Sequence, residues 1–250
     1  METPDVPRRT RHRRGWFAAT VTCVLAVSLL ALAVPRMATA WLAVPAQSTL
    51  EAVQNGLAPS STQIDVALAA MRGAARWHSP PRLRTDMALL LAFRASMAER
   101  AETDRRADME GAETLLREAV PDAPANPYVW FRLALAREAL RGPSREVADA
   151  LVASTTLAPN LERLMLPRLA AWMGNWQFLK PGELPMVRRQ VVTVWAAARD
   201  VDVVLAVAEA NQAHLFMLWG LEEDAPRRAA YLAALEAFRA KPGNAPVRAP

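Results

Sequence analysis

The sequence predicts an all-helical protein, and three observations carry that expectation. Alanine is abundant, glycine is scarce, and the chain holds one isoleucine, so the β-branched alternation that strands require has little to be built from. Prolines fall at first turns or just past the ends of apolar runs of helical period, where a helix tolerates or expects them. Finally, the stretch 112–160 repeats itself: Ala112, Leu116, Ala119 and Pro124 correspond to Val147, Leu151, Ser154 and Pro159, each 35 residues further on. That spacing is the signature of a helical hairpin.

With 250 residues, 52% of them hydrophobic, the chain can bury a sizeable core in one or two domains. The formal charge of +5 is local. Five arginines against Glu2 and Asp5 place +3 of it in the first fourteen residues, which removes the case for a nucleic-acid-binding face. Cys23 is the only cysteine, so neither an internal disulfide nor a cysteine metal site is possible.

Residues 1–14 read as a disordered, basic, cytoplasmic arm. Residues 15–35 read as a transmembrane anchor, because 16–34 are nineteen residues without a charge and about 28 Å of helix, close to the depth of bilayer hydrocarbon. Its anchoring side chains are Trp16, Phe17, Leu25, Leu29, Leu30 and Leu32. The arginines before the span and the single Arg36 after it place the N-terminus in the cytoplasm and the remainder in the periplasm of a bacterial inner membrane. The rival reading is a cleaved secretory signal, since Ala38-Thr39-Ala40 fits a small-x-small processing site; the apolar run exceeds the ~7–15 residues of an ordinary signal core.

From 41 to 240 the chain reads as one helical-repeat domain, followed by a disordered tail at 241–250. Helices are expected at 47–56, at 61–77 with Ser60 or Ser61 as cap, and at 84–101 with Thr85 as cap. Further helices are expected at 107–120, 127–141, 144–157, 184–199 and 225–240. The charged run ERAETDRRADMEGAE reads as a solvated helix end or loop. Pro167 implies a kink or break within 161–173. The apolar segment HLFMLWG at 214–220, with Trp172, Trp176 and Phe178, is either core or a membrane-dipping surface.

The run NPYVWFRLALAREAL and the helix that follows, closing on Pro159, resemble a tetratricopeptide repeat (TPR). Trp130 and Leu133 take the first two consensus places, Ala134 the small residue, Leu151 the second-helix aromatic, and Ser154 the alanine, while Arg137 departs from the tyrosine. The resemblance covers about 75 residues. With the N-terminal anchor it is similar to the membrane-tethered TPR-like proteins of bacterial exopolysaccharide loci. It implies a superhelix of stacked hairpins and a non-enzymatic accessory protein that supports envelope or polysaccharide biosynthesis through contacts with other, membrane-embedded proteins. The alternatives are an assembly factor or permanent subunit of a membrane complex, and an exported helical enzyme. Tyr128, Phe131, Leu135 and Glu138 are the candidate partner groove; the competing reading of the aromatic and leucine positions on this helix is core.

No chemistry is legible. His12, His78 and His214 lack a second ligand at i+3 or i+4, and no nucleophile elbow, phosphate loop or dinucleotide fingerprint occurs, so the sequence proposes no catalytic residue, no metal and no cofactor.

Overall fold

A computed structural model describes residues 9–241, and among these every regular element is helical. The chain divides into two compact units, with the boundary between Leu83 and Arg84, where the sequence places one domain over 41–240.

The first unit begins with α1, Arg9–Ala43. Residues 1–8 of the expected arm lie outside the described residues; residues 9–14, expected to be disordered, are already helical. Arginine is a good helix former, and with the costly first turn supplied by the apolar run the helix extends back through them. At its other end α1 continues through Pro35 and eight residues beyond. A proline inside a helix forfeits one hydrogen bond, and here the loss is offset by packing of the final turns.

A 3-10 turn, Val44–Ala46, then reverses the chain into α2 (Gln47–Gln54), and Gly56 takes the left-handed backbone, φ 74°, that ends this excursion. The next helix, α3 (Ser61–Ala75), opens with a reciprocal cap: the Ser60 hydroxyl accepts from the Gln63 N–H at 3.3 Å, and the Ser60 N–H donates to Gln63 Oε1 at 2.8 Å. Its buried stripe is Ile64, Leu68, Met71 and Ala74, and α3 packs against the end of α1, the 3-10 turn and α2, where Ala46, Thr49 and Leu50 are also buried. Each large apolar side chain so enclosed is worth about 1.5–3 kcal/mol.

The helix α4, Pro81–Ala95, starts three residues before the expected Arg84, because Pro81 both stops α3 and fits a first helical turn. Only its first three residues belong to the first unit.

The second unit continues with α5 (Glu102–Ala119), α6 (Pro127–Arg141), α7 (Arg145–Leu157), α8 (Glu162–Asn175), α9 (Leu184–Ala197), α10 (Val201–Ala210), α11 (His214–Gly220) and α12 (Ala225–Ala240). The charged run is the solvated-helix-end alternative: 99–101 form the loop before α5, and most of its side chains are exposed. Residues 102–110 are the first half of α5, with Glu102 and Asp104 in its first turn, where carboxylates suit the helix dipole. One of its carboxylates is buried: Asp108 is clamped by Arg94 of α4, Nε to Oδ2 at 2.9 Å, and by Arg100 at 3.1 Å.

The hairpin α6·α7 is built as the repeat expects. Asn126 caps α6 by accepting from the Tyr128 N–H at 3.0 Å; Gly142, φ 75°, ends it; Ser144 caps α7. Both copies of the repeated triplet are in the core, since Ala112, Leu116, Ala119, Val147, Leu151 and Ser154 are all buried. Their small members let α5 and α7 each pack closely on α6.

Pro167 leaves α8 unbroken. Beyond two 3-10 turns, Trp176–Phe178 and Pro181–Glu183, helices α9 to α12 close over a core of Trp172, Leu169, Val191, Leu205, Met217 and Tyr231. The HLFMLWG segment is α11. Phe216 and Met217 are buried, Trp219 stacks obliquely with Trp176 and Phe216 at 5.7–5.8 Å, and Arg188 lies 4.9 Å over the Trp219 ring. With Trp172 buried and Phe178 packed on the core, the core reading of this segment holds. Residues 242–250 of the expected tail lie outside the described residues.

Candidate functional site

Among the described residues, no side chain covers the apolar part of α1. Leu25, Leu29, Leu30 and Leu32 of the expected anchor are each more than half exposed, as are Val24 and Val27, and together they point to every side of the helix. Trp16 is also exposed; the side chain of Phe17 lies outside the described residues. A helix bare around its full circumference over this length is long and apolar enough to cross a membrane. One polar side chain within the run turns inward on the backbone: the Thr20 hydroxyl donates to the Trp16 carbonyl, one turn back, at 2.9 Å. That is the arrangement a hydroxyl needs where no water is available.

The processing-like triplet Ala38-Thr39-Ala40 lies in the same helix. Thr39 is buried, and its hydroxyl sits 2.9 Å from the Pro35 carbonyl, 3.2 Å from that of Ala74 and 3.1 Å from that of His78. The Ala74 carbonyl lies in the last turn of α3, where it also accepts from the Trp77 N–H at 3.0 Å, and His78 stands just past the end of that helix. Thr39 therefore joins the end of α1 to the end of α3, and a cut after Ala40 would remove the joint.

The expected groove on α6 does not open as one surface. Phe131 is in the core, Tyr128 is half-buried against it, and Leu135 is 40% exposed. Glu138 is engaged: its Oε1 accepts from Asn175 Nδ2 at 2.7 Å, and burial raises its pKa against the lowering effect of that bond. The spacing i, i+3, i+7 and i+10 puts the four on one side of a helix, and α6 packs against α7 and α8, with Phe131 buried and Glu138 bonded to Asn175 of α8. Leu135 instead borders a small apolar cleft of about 100 Å³ between α4, α5 and α6, with Leu89, Ala92, Met109 and Leu116. A larger groove, about 480 Å³, runs between α8, α9 and α10, floored by Met165, Leu166, Val194 and Val203 and edged by Glu162 and Arg199.

Two buried polar arrangements escaped the sequence reading. Arg168 of α8 is fully enclosed with no carboxylate beside it. Its guanidinium donates to Ser154 Oγ at 3.0 Å, to the Ser154 carbonyl at 2.8 Å and to the Ala158 carbonyl at 2.7 Å, while Ser154 Oγ donates to the Pro127 carbonyl at 2.7 Å. The arginine thus satisfies carbonyls at the end of α7, and burial pulls its pKa down to about 10, still charged at neutral pH.

The second is His214, held between the Tyr231 hydroxyl at 2.5 Å and Glu209 Oε2 at 2.7 Å, with Arg239 also on Glu209 at 3.0 Å. Burial raises the Tyr231 pKa well above the ordinary phenol range. Burial also raises that of Glu209, but hydrogen bonds from His214 and Arg239 outweigh it and hold the carboxylate below its usual range. The sequence could not show this: Glu209 and His214 are five apart across the break between α10 and α11, and Tyr231 arrives from α12. Neither groove described above is lined by His214 or Tyr231, and the trio joins α10, α11 and α12. Among the described residues, no three His, Cys, Asp or Glu side chains gather closely enough to hold a metal ion.

No protein family, curated protein or solved structure matches this chain.

Proposed function

We propose that the chain is a membrane-tethered, non-enzymatic helical scaffold that holds a membrane-embedded protein partner. The observation that carries this is the bare apolar circumference of α1, continuous without a loop into a packed helical hairpin. A helix of this kind is unstable in water and stable in lipid, and its continuity with α3 makes it part of the folded unit. Five arginines precede the span, and Arg36 alone follows it before Arg72, a flanking bias that supports a cytoplasmic N-terminus and periplasmic helical units. The resemblance to membrane-tethered TPR-like proteins of exopolysaccharide loci supplies the pathway, envelope or exopolysaccharide biosynthesis and export. The apolar groove between α8, α9 and α10 is the surface offered to a partner segment.

The test is crosslinking of the full chain in native membranes, followed by purification in mild detergent and mass spectrometry. A scaffold captures an envelope polymerase or export component in substoichiometric amounts. Recovery of one membrane complex at fixed stoichiometry supports instead the permanent-subunit reading. A chain that crosslinks to no membrane protein sinks both.

A further inference from the structure

We infer that the end of the first unit nearest the span is a seat on the headgroup layer of an anionic bilayer, formed by Trp41, Trp77, Arg36, Arg72 and Arg76. The inference rests on α1 crossing the membrane and adds a second contact to it.

The placement follows from Thr39. Its hydroxyl reaches the carbonyls of Ala74 and His78, so the C-terminal end of α3 lies at the level of the α1 turn that follows the span. The α1 residues from 20 to 34 are exposed on all sides, so α3 does not run back along the span, and the rest of it extends away from the bilayer. Thr39 stands five residues past Val34, about 7 Å along the helix axis, and the headgroup region is about 5–8 Å deep on each side. Trp77 is 56% exposed at that level. Trp41 is 80% exposed two residues further along α1, and side chains on a helix lean toward its N-terminus, here back toward the bilayer. Exposed indoles at this depth are what a membrane interface accommodates, with the ring among the acyl ends and the N–H in the headgroups.

Charge gives the second, independent argument. Arg36 on α1, and Arg72 and Arg76 on the last turn and cap of α3, are exposed on that end. The Arg36 guanidinium reaches back one turn toward the span, to the Leu32 carbonyl at 2.9 Å. Of the acidic residues of this hairpin, Glu51 is on α2, and Asp65, near the start of α3, stands toward the opposite end of that helix, eleven residues, roughly 16 Å, from Arg76. Arginines at a helix C-terminus also suit the dipole of α3 alone. The dipole does not explain Arg36 on another helix, nor two bare indoles in the same layer; a phosphate-bearing surface explains all five.

The experiment uses the full chain in nanodiscs with Cys23→Ser as background and one nitroxide label at a time. The labels go at Leu29→Cys in the span, at His78→Cys beside the intact Trp77, and at Leu57→Cys in the loop before α3. Collision with oxygen against a neutral nickel chelate reads depth. In discs of equal phosphatidylglycerol and phosphatidylcholine, the label at 29 should be deep and the label at 57 aqueous, with that at 78 severalfold less accessible to nickel than that at 57. Pure phosphatidylcholine, or the Arg72→Gln/Arg76→Gln pair, should return the label at 78 toward aqueous accessibility. If 78 matches 57 while 29 stays deep, the seat is wrong and the anchor stands. If shielding at 78 is equal in pure phosphatidylcholine, the anionic headgroup is not the partner. If 29 is itself aqueous, the anchor fails and the seat falls with it.

Discussion

At the scale of single residues, Arg168 shows how a charge can be buried without a counter-charge. Three carbonyl or hydroxyl oxygens surround its guanidinium, and the positive end of this side chain meets the negative end of α7. Arg168→Ala would leave those oxygens buried and unpaired, with a cavity beside Trp172, and should destabilise the second unit by about 3–5 kcal/mol in urea titration. Arg168→Lys, which cannot spread its donors across two carbonyls and a hydroxyl, should recover only part of that loss. The pair Arg145–Glu183 behaves differently because it titrates. The guanidinium meets both carboxylate oxygens, at 2.6 and 2.7 Å, and the Lys180 N–H adds a third bond at 2.8 Å. Hydrogen bonding from Arg145 first, against burial, lowers the Glu183 pKa from 4.5 to about 2. Since the folded value is the depressed one, the pair stabilises fully above pH 4.5, and that contribution is lost as pH falls toward 2. Glu183→Gln should therefore narrow the difference in urea midpoint between pH 6 and pH 3 relative to the parent chain.

At the scale of elements, two junctions carry the argument. Gly220, the last residue of α11, lies against α9 so closely that a Cβ there would sit 2.7 Å from the Cβ of Val191. Gly220→Ala should cost about 1–3 kcal/mol in the same titration, and Val191→Ala placed with it should recover part of the loss. The other junction is Thr39. A chain beginning at Pro35 keeps the joint between α1 and α3, whereas one beginning at Trp41 lacks it, along with two turns of packing. In hydrogen exchange, the α3 amides of the second chain should exchange faster than those of the first. Equal protection would show that the hairpin does not depend on the end of α1, and would restore cleavage after Ala40 as a harmless event.

At the scale of the whole molecule, deletion of residues 16–34 should convert a protein extractable only with detergent into one released by alkaline carbonate; retention in the pellet would defeat the tether. Much of this architecture was legible in the sequence. Composition announced helices; the bounds of α6 and α12 follow from Asn126, Pro127, Gly142 and Pro226; and the 35-residue echo marked six residues that prove to be core. What stayed hidden depends on partners distant in sequence. The charged run around Asp108 looks solvated until Arg94 arrives from α4 and Arg100 folds back from the start of the run itself, and Arg168 looks like a surface residue until α7 ends over it. The anticipated groove failed for the same reason: periodicity identifies a helix face but not what covers it, and Phe131 belongs to the core. The apolar run lies in a helix long and apolar enough to cross a membrane, and that helix continues past Pro35 because packing beyond the proline offsets the lost hydrogen bond. That extension has a mechanical consequence. With no linker between the apolar run and the hairpin, a lean forced on this rod, as a thicker or thinner bilayer would force on a spanning helix, is delivered to α3 as a rotation, and Pro35 is where the lever can bend.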